Sequence, residues 1–540
     1  MPGPRSNDAG SALPPAGRTD MNKPAGGPKV VVVGGGATGC GVARDLVLRG
    51  FDVTLVEYGD LGCGTSSRFH GMLQSGARYA VSDTVYAGEC MRERRIVQRL
   101  APEAVEETGG LFVSLPGDPD DYGDKFLAGC RKAGIPVEEL DPKAVMAEEP
   151  NVSRQIKRAF AVPDATVQPW RLLNLLAQDM RRRGVAILLR HRVTGFDLAG
   201  GRVRAIEVES PTGTLRLETD AVVNAAGPWS GQIALMLGQD VALELIKGSI
   251  LVFGHRLVSR AINRCRVPSS HDIMVPTGTV SLFGTTSEVV EDPGTTFVRP
   301  EEVQALLDGA EPMVPGIRGY RALRAWAGVR PIVKPADWPQ GKSLPRRHKV
   351  IDHGDAGLAG AFTVCGGSWT THRSMGEDVG DSVAAYFGVN RPSETAATPV
   401  SSPDGAGAWK PVAGYEAVER EGDQARTLCE CESITRDMVA DLVDGAGLKR
   451  FHDLRRRLRI GFGPCQGTFC GSRLAGLVAG ADPEFPARRE LEAFWAERLK
   501  GAAMTAWGHH ARQVLLSDAV FRENLGIDLD TTAHPGGDDR

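Results

Sequence analysis

Cys429-Glu430-Cys431 and, further on, Cys465-Gln-Gly-Thr-Phe-Cys470 set four thiols in two close pairs. Cysteines separated by a single residue are poorly placed to bridge one another. Four thiolates on two short loops can instead close round a metal or an iron–sulfur cluster. Structural zinc prefers two to four residues between its paired cysteines, and Cys429-x-Cys431 departs from that. An iron–sulfur cluster on Cys429, Cys431, Cys465 and Cys470 is therefore the expectation, with zinc and unliganded thiols as the alternatives. The segments Ile434 to Val443 and Leu448 to Leu458 read as helices between the pairs. Gly461, Gly463 and Gly467 loosen the second loop, and Gly471 to Val478 opens another helix. The other six cysteines (Cys40, Cys63, Cys90, Cys130, Cys265 and Cys365) lack such spacing and read as buried small hydrophobes. Arg455, Arg456, Arg457 and Arg459 precede Cys465. They balance an anionic cluster, dock an acidic partner, or form a solvated helix face.

A second chemical signal stands near the other end. The apolar run Lys29 to Val33 suits a strand buried on both faces. Gly34-Gly35-Gly36-Ala37-Thr38-Gly39 follows, then a helical pattern with Val42, Ala43, Leu46 and Val47 on one face. Gly50 ends that helix, and Asp52 to Val56 reads as a second strand with Glu57 at its end. In this order Gly34 permits a tight turn, Gly36 lets backbone approach a pyrophosphate, and Gly39 lets helix pack on strand. The helix N-terminus offers N–H groups and a positive dipole end to phosphates, and Glu57 can bind a ribose.

The motif by itself leaves NAD and FAD open. Three later stretches favour a tightly held flavin. Gly62 to Arg68 supplies Thr65, Ser66, Ser67 and Arg68 soon after the acid. Asp220 to Gly227 is an apolar strand ending in small residues, where Gly227 lets backbone lie against a cofactor. Ala361 to Arg373 reads as a strand, the pair Gly366-Gly367, and a helix start at Ser368, Trp369 and Thr370. Met375, Val379 and Val383 continue that helix, so a second helix N-terminus can face the flavin pyrimidine.

The elements that must position these groups span 540 residues, enough for about three domains. Apolar residues at 42% and charged residues at 24% suit a globular chain, and a net charge of −4 gives no field favouring nucleic acid. No apolar run is long enough to span a membrane. Residues 1–28, rich in Pro, Gly, Ala and Ser, read as a disordered leader with Met21 as a second candidate start. With no export signal, ten cysteines belong in a reducing, cytoplasmic setting. Strand, helix and turn signals alternate over 29–390, an α/β pattern. Residues 391–424 read as a linker, 425–480 as the compact cysteine unit, and 481–540 as a helical extension.

The stretches GGGATGCGVARDLVLRG, HGMLQSGARYAV, NAAGPW, KGSILVF, INRCRVPSSHDIMVP, SLFGTTS, RAWAGVRP and CGGSWTTHR make the chain resemble the flavin subunit of anaerobic-type glycerol-3-phosphate dehydrogenase. The cysteine unit resembles the bacterioferritin-associated-ferredoxin type of [2Fe–2S] domain. The resemblance implies an FAD domain of the D-amino-acid-oxidase type, an antiparallel-sheet substrate domain including about 240–325, and a small helical Fe–S domain: α/β (α+β) overall. It implies oxidation of sn-glycerol 3-phosphate to dihydroxyacetone phosphate, with companion subunits carrying electrons to membrane quinone. Attachment would then be peripheral, on the inner face of the cell membrane. Gly71 and Met72 join the expected flavin contacts.

That chemistry needs a hydride acceptor, a proton acceptor and cations for the phosphate. Arginine suits the last task through its planar fork. The resemblance puts Arg78, Tyr79 and Arg330 at the substrate, with Arg324 the less secure neighbour. His70 is the first candidate for the proton acceptor, with His271 and His372 behind it. The chain departs from the family at Ser368, where a Lys is usual, and at Thr371-His372-Arg373, where Thr-Tyr-Arg is usual. Ile250 stands where single-subunit relatives carry a His. Oxidation of another small hydroxy or amino compound, or a noncatalytic electron-transfer module, therefore stands as the alternative. A two-electron flavin joined to a one-electron cluster suggests a dehydrogenase rather than an oxidase.

Overall fold

The structure is a computed structural model that describes residues 26–333, 346–400, 427–445 and 450–527. Most of the expected leader, residues 401–424 of the expected linker and the last residues of the chain lie outside the described residues.

Consecutive valines build the central strand. β1 (Lys29–Val33), α1 (Ala37–Leu48) and β2 (Asp52–Glu57) form the expected strand–turn–helix–strand unit. β3 (Ala186–Leu189) extends the sheet beyond β2, and β4 (Ala221–Asn224) pairs with β1 on the other side. These pairings are parallel, with Val31 opposite Val222 and Thr54. Both faces of β1 are therefore covered, and Val30 to Val33 are buried.

A second sheet of nine strands carries the other half of the body. Its two long strands, β5 (Leu243–Phe253) and β6 (Ala322–Val333), run antiparallel with Lys247 opposite Val329. Val280–Gly284, Ile273–Thr277 and Ala261–Arg264 continue from β5. The sheet also recruits Gly110–Ser114, which pairs parallel with Ala261–Arg264, and then Arg158–Val162 and Glu138–Leu140. It is antiparallel elsewhere, and it draws strands from well before residue 240.

β7 (Ala361–Cys365) returns to the first sheet beside β4 and leads into α2 (His372–Phe387). Met375, Val379 and Val383 are buried on one side of α2, which packs against α1. Gly41 and Gly376 let the two helices meet; a Cβ on Gly376 would stand 2.4 Å from the Gly41 carbonyl carbon. Residues 391–400 lie against this helix pair. Arg44 donates to the Thr398 carbonyl at 2.7 Å, the Ser393 hydroxyl donates to Asp45 at 2.5 Å, and Thr395 is buried.

The cysteine unit begins with a short hairpin, Thr427–Cys429 and Ile434–Thr435. The helix expected from Ile434 is short, Arg436–Ala440, and runs on into a wider turn. α3 (Phe451–Leu458), α4 (Cys470–Ala481), α5 (Ala487–Leu499) and α6 (Gly508–Ala519) follow. One apolar core joins the hairpin to these helices through Leu428, Phe451, Leu474, Phe494, Trp495 and Phe521. Trp495 and Phe521 stack at 4.3 Å, so α5 and the segment after α6 pack with the cysteine unit rather than trailing from it.

Candidate functional site

Gly34 leaves β1 with φ at 111°, where a side chain is strained, and a Cβ there would lie 2.5 Å from the Ala225 carbonyl oxygen. Gly39 is tighter still: a Cβ would stand 1.8 Å from the Gly34 carbonyl oxygen. Gly36 faces Ser66, whose hydroxyl accepts from the Ala37 N–H at 2.9 Å. The Thr38 hydroxyl reaches the Met375 sulfur at 3.9 Å. Glu57 is buried; its two oxygens accept from the N–H groups of Gly35 at 2.7 Å and Gly59 at 2.8 Å. Burial pushes its carboxyl up. Oε1 also accepts from the Cys63 thiol at 3.4 Å, and Oε2 keeps a lone pair for a ribose hydroxyl.

A second wall of this cradle comes from residues 62–72 and 366–371. Gly366 and Gly367 have φ of 80° and 74°, and Ser368 caps the turn Trp369–Thr371 that leads into α2. The Trp369 indole N–H donates to the Ser66 carbonyl at 2.9 Å and its ring stacks on Phe69 at 5.7 Å. The Thr65 hydroxyl donates to the Val329 carbonyl at 2.5 Å, and Thr370 accepts from the Gln74 N–H at 3.2 Å. Ser67 bonds back to the Gly64 carbonyl at 3.4 Å. Arg68 crosses β6 where Gly328 leaves room; a Cβ on Gly328 would stand 2.6 Å from the Arg68 carbonyl oxygen. Gly71 at φ 77° and Gly227 at φ 57° turn the chain at the edges, and the Met72 N–H donates to His70 Nδ1 at 3.2 Å. Two helix starts and glycine-lined backbone thus converge, and these residues fit an FAD.

Beside the cradle stand the cations. Arg78 donates to the Ser269 carbonyl at 2.6 Å and lies 3.5 Å from Asp272. Arg330, on β6, donates to the carbonyls of Thr286 at 3.0 Å and Ile246 at 3.4 Å and to the Thr285 hydroxyl at 3.4 Å. Burial, and then repulsion from Arg346, lowers Arg330 to about 10. Burial also lowers Arg78, against the pull of Asp272. Tyr79 neighbours Arg330 and packs on Tyr86 at 5.1 Å. Arg346 belongs to this group although no motif marks it; its only signal is the basic pair before the strand Lys349–Asp352.

His70 is pushed down to about 3 by burial and then by Arg78 and Arg330. It is neutral, and its Nδ1 accepts from the Met72 N–H, so its one proton sits on Nε2. As placed, the ring offers a donor to this pocket. His372 is buried, hydrogen-bonded to the Trp369 carbonyl at 2.9 Å and packed on the Trp369 ring at 4.9 Å. His271 donates its backbone N–H to the Thr285 carbonyl at 3.0 Å, and its side chain packs against Gly309. Arg373 is committed elsewhere, bidentate to buried Glu93 at 2.7 Å. Arg324 also lies away from the group, at the other end of β6, 3.5 Å from Glu497.

In the C-terminal unit the four cysteines meet. Cys431 and Cys465 sulfurs are 3.8 Å apart, and Cys470 contacts Cys429 and Cys465. Cys429 and Cys470 are buried, and a Cβ on Gly463 would stand 2.2 Å from that of Cys431. Cys465 is pulled down first by Cys431 and Cys470, then by the N–H groups of Gly467 and Phe469. Cys429 is lowered by Cys470, with help from the Glu432 N–H. N–H groups aimed at sulfur suit thiolate ligands, and the donor set fits a [2Fe–2S] cluster. The other six cysteines are all buried, and burial raises Cys40, Cys90, Cys130, Cys265 and Cys365 to about 12.

The arginine run is not a solvated helix face. Arg455, Arg456 and Arg457 are largely covered, and Arg456 and Arg457 pair with buried Asp60 at 3.4 and 3.2 Å. Arg459 bonds Glu432 at 2.8 Å and Gln168 at 2.5 Å, and Phe462 meets Trp170 edge-on at 5.0 Å. The cysteine unit is therefore docked on the loop that follows Glu57 and on the start of the helix Pro169–Arg182.

The family model described as FAD dependent oxidoreductase matches residues 29–381, and that described as BFD-like [2Fe-2S] binding domain matches residues 427–479. A subunit of the anaerobic glycerol-3-phosphate dehydrogenase of Escherichia coli K12 is 39% identical, over 92% of this chain and 97% of its own length. Its counterpart in the anaerobic glycerol-3-phosphate dehydrogenase of Haloferax volcanii is 36% identical over 94% of this chain and 92% of its own. Among solved structures, the glycerol-3-phosphate dehydrogenase from Bacillus halodurans complexed with FAD aligns at a TM-score of 0.57 and 21% identity, covering 94% of this chain and 90% of that one. The L-alpha-glycerophosphate oxidase of Mycoplasma pneumoniae aligns at 0.55 and 17% identity, covering 68% and 97%. The last two likenesses concern the fold.

Proposed function

This chain belongs to the anaerobic glycerol-3-phosphate dehydrogenase family, as an FAD dependent oxidoreductase with a [2Fe–2S] domain, and from that premise we propose how its own residues serve the oxidation of sn-glycerol 3-phosphate to dihydroxyacetone phosphate. Bound FAD supplies the hydride acceptor, and the bound [2Fe–2S] cluster supplies a one-electron carrier. Gly34, Gly36, Ala37, Thr38 and Gly39 hold the FAD pyrophosphate, and Glu57 its ribose. Residues 65–72, Gly227 and 366–370 line the flavin. Cys429, Cys431, Cys465 and Cys470 hold the cluster.

Arg78 and Arg330 bind the substrate phosphate. The observation that carries this is the mutual repulsion of Arg330 with Arg78 and Arg346, against which Asp272 is the carboxylate that acts on Arg78. A phosphate dianion relieves the repulsion among the three guanidiniums. Arg346 takes over the charge that the family places as a Lys where this chain has Ser368. His70 donates from Nε2 to the C2 oxygen and fixes the alcohol, whose hydroxyl proton leaves to water as the hydride leaves C2, while Tyr79 packs beside Arg330.

No helix among the described residues is long and apolar enough to cross a membrane. Electrons leave through companion subunits to membrane quinone, with the chain held peripherally on the inner face of the membrane. Anaerobic titration of the yellow holoenzyme with sn-glycerol 3-phosphate tests the reading. Stoichiometric bleaching of the flavin and release of dihydroxyacetone phosphate are expected; bleaching by another hydroxy or amino compound alone defeats it.

A further inference from the structure

Where the cysteine unit meets the flavin body, the structure holds a partly open cleft with a cavity volume of about 120 Å³. A cavity of ~150 Å³ accommodates benzene, so this one has room for a small polyatomic ion. Its walls come from both units. Trp170, Arg324 and Trp326 belong to the flavin body, and Arg455, Arg459 and Arg498 to the cysteine unit. Among the described residues, the single carboxylate in the lining is Glu497.

That carboxylate is oversubscribed. Glu497 lies 3.5 Å from Arg324 and 3.7 Å from Arg498, and Arg455 stands 3.9 Å away. Arg324 and Arg498 are 6% and 3% exposed, so their charges are removed from bulk water. One carboxylate cannot neutralise two buried guanidiniums, and an uncompensated buried charge is costly. Both are accordingly lowered by burial, and Arg498 is lowered further by Arg455 and Arg324.

Hydrogen-bonding capacity points the same way. Nε of Arg324, Nε of Arg498, Nε1 of Trp326 and Nε1 of Trp170 are buried donors without acceptors among the described residues, all on side chains of this lining. Buried donors are rarely left unsatisfied. An acceptor-only, negatively charged guest meets both deficits at once. The donors come from separate segments, and a tetrahedral oxyanion, with acceptor oxygens on all sides, suits several donors at once.

We propose that this cavity is a binding site for a phosphate-type oxyanion, which ties the cysteine unit to the flavin body. Its lining shares Ser67, Arg68, Phe69 and Gly71 with the flavin wall but includes none of Arg78, Arg330 and His70 of the substrate pocket. Arg324 and Arg330 both lie on β6, and a strand rises ~3.3 Å per residue, which sets them roughly 20 Å apart. The backbone of Arg68 crosses the strand at Gly328, between them. The proposal goes beyond the assigned oxidation and does not rest on it.

The test uses full-chain holoenzyme in phosphate-free buffer, in an Arg330→Gln background that weakens phosphate binding at the substrate pocket. Calorimetric titration with inorganic phosphate should show one saturable site, weaker at high chloride, with a higher melting temperature for the saturated protein. Adding Arg498→Gln should weaken this site tenfold or more. Trp326→Phe, which removes a single donor and keeps most of the ring volume, should weaken it several-fold and covers the case in which Arg498→Gln does not fold. Absence of a saturable site in the Arg330→Gln protein overturns the proposal, as does binding unchanged by both further substitutions. An iron-loaded protein that binds nothing would show that the cluster's own charge fills the deficit, and that also overturns it.

Discussion

Arg324 and Arg330 stand on the same face of β6 with Gly328 between them, under the crossing backbone of Arg68. One strand thus serves two electropositive sites, and the two arginines should separate in function. On the proposed assignment, Arg330→Met removes charged hydrogen bonds to the substrate phosphate, each worth about 1.5–3 kcal/mol. The expected loss in kcat/KM for glycerol 3-phosphate is about 10- to 100-fold, carried mainly by KM. Arg324→Met should leave KM within about twofold of the native value. Steady-state kinetics with an artificial acceptor read both. An Arg324→Met enzyme with the raised KM would contradict the assignment of substrate binding to the Arg78–Arg330–Arg346 group.

The two redox units are held by different residues, so one can be removed without the other. Cys465 receives N–H groups from Gly467 and Phe469 and contacts two other cysteines. Cys465→Ser should abolish the reduced-state EPR signal and lower bound iron and sulfide, since a serine oxygen is a harder, shorter ligand. Flavin content and anaerobic bleaching by glycerol 3-phosphate should persist. Loss of the flavin together with the iron would mean that the units depend on one another for folding.

What is legible in the sequence is local. Gly34, Gly36 and Gly39 are readable because one turn demands all three, and Cys429, Cys431, Cys465 and Cys470 because ligand spacing is a short-range property. Arg346 is invisible there: its neighbours Arg78 and Arg330 come from separate segments, and no spacing rule links them. The nine-stranded sheet is similarly hidden. Gly110–Ser114 joins Ala261–Arg264 in parallel, a pairing between distant segments that alternation within either strand does not encode. The arginine run before Cys465 resembles a solvated face in sequence because its partner, Asp60, sits in the N-terminal loop. Residue type alone suggests a base at His70, and only the Met72 N–H on its Nδ1 reveals which nitrogen carries the proton.

Buried neutral histidines make the fold sensitive to acid. His372 and His510 are 3% and 4% exposed, and burial lowers both to about 4 from an ordinary 6.5. Between those values the unfolded chain binds more protons than the folded one. Their contribution to stability is therefore complete above pH ~6.5 and is lost progressively as pH falls toward 4. Melting temperature should be flat for these groups from pH 7 to 8 and decline below 6.5. His372→Phe, which keeps an aromatic ring beside Trp369, should flatten that decline by up to one proton. An unchanged slope would exclude His372 as a contributor.

Lys247 shows how much the substrate sheet depends on a single buried pair. Its ammonium is fully buried, 2.8 Å from Glu302 and 3.0 Å from Glu288, and Glu302 also accepts from the Ser249 hydroxyl at 2.6 Å. Glu302 stays ionised because Lys247 and Ser249 outweigh its burial. Opposite Lys247 on β6 is Val329, whose carbonyl takes the Thr65 hydroxyl, so the pair sits directly behind the flavin wall. Removing Glu302 leaves the buried Lys247 ammonium on the half-exposed Glu288 alone among its described carboxylates, at a cost of up to about 3–5 kcal/mol. Glu302→Leu should therefore lower the melting temperature by several degrees and weaken flavin retention on gel filtration. The double variant Lys247→Met/Glu302→Leu removes both charges and should recover most of that loss, because a buried ion pair adds little over apolar packing of similar volume. If the double variant is instead less stable than Glu302→Leu, the network with Ser249 and Glu288 is itself the source of stability, and the balance argued for this sheet is wrong.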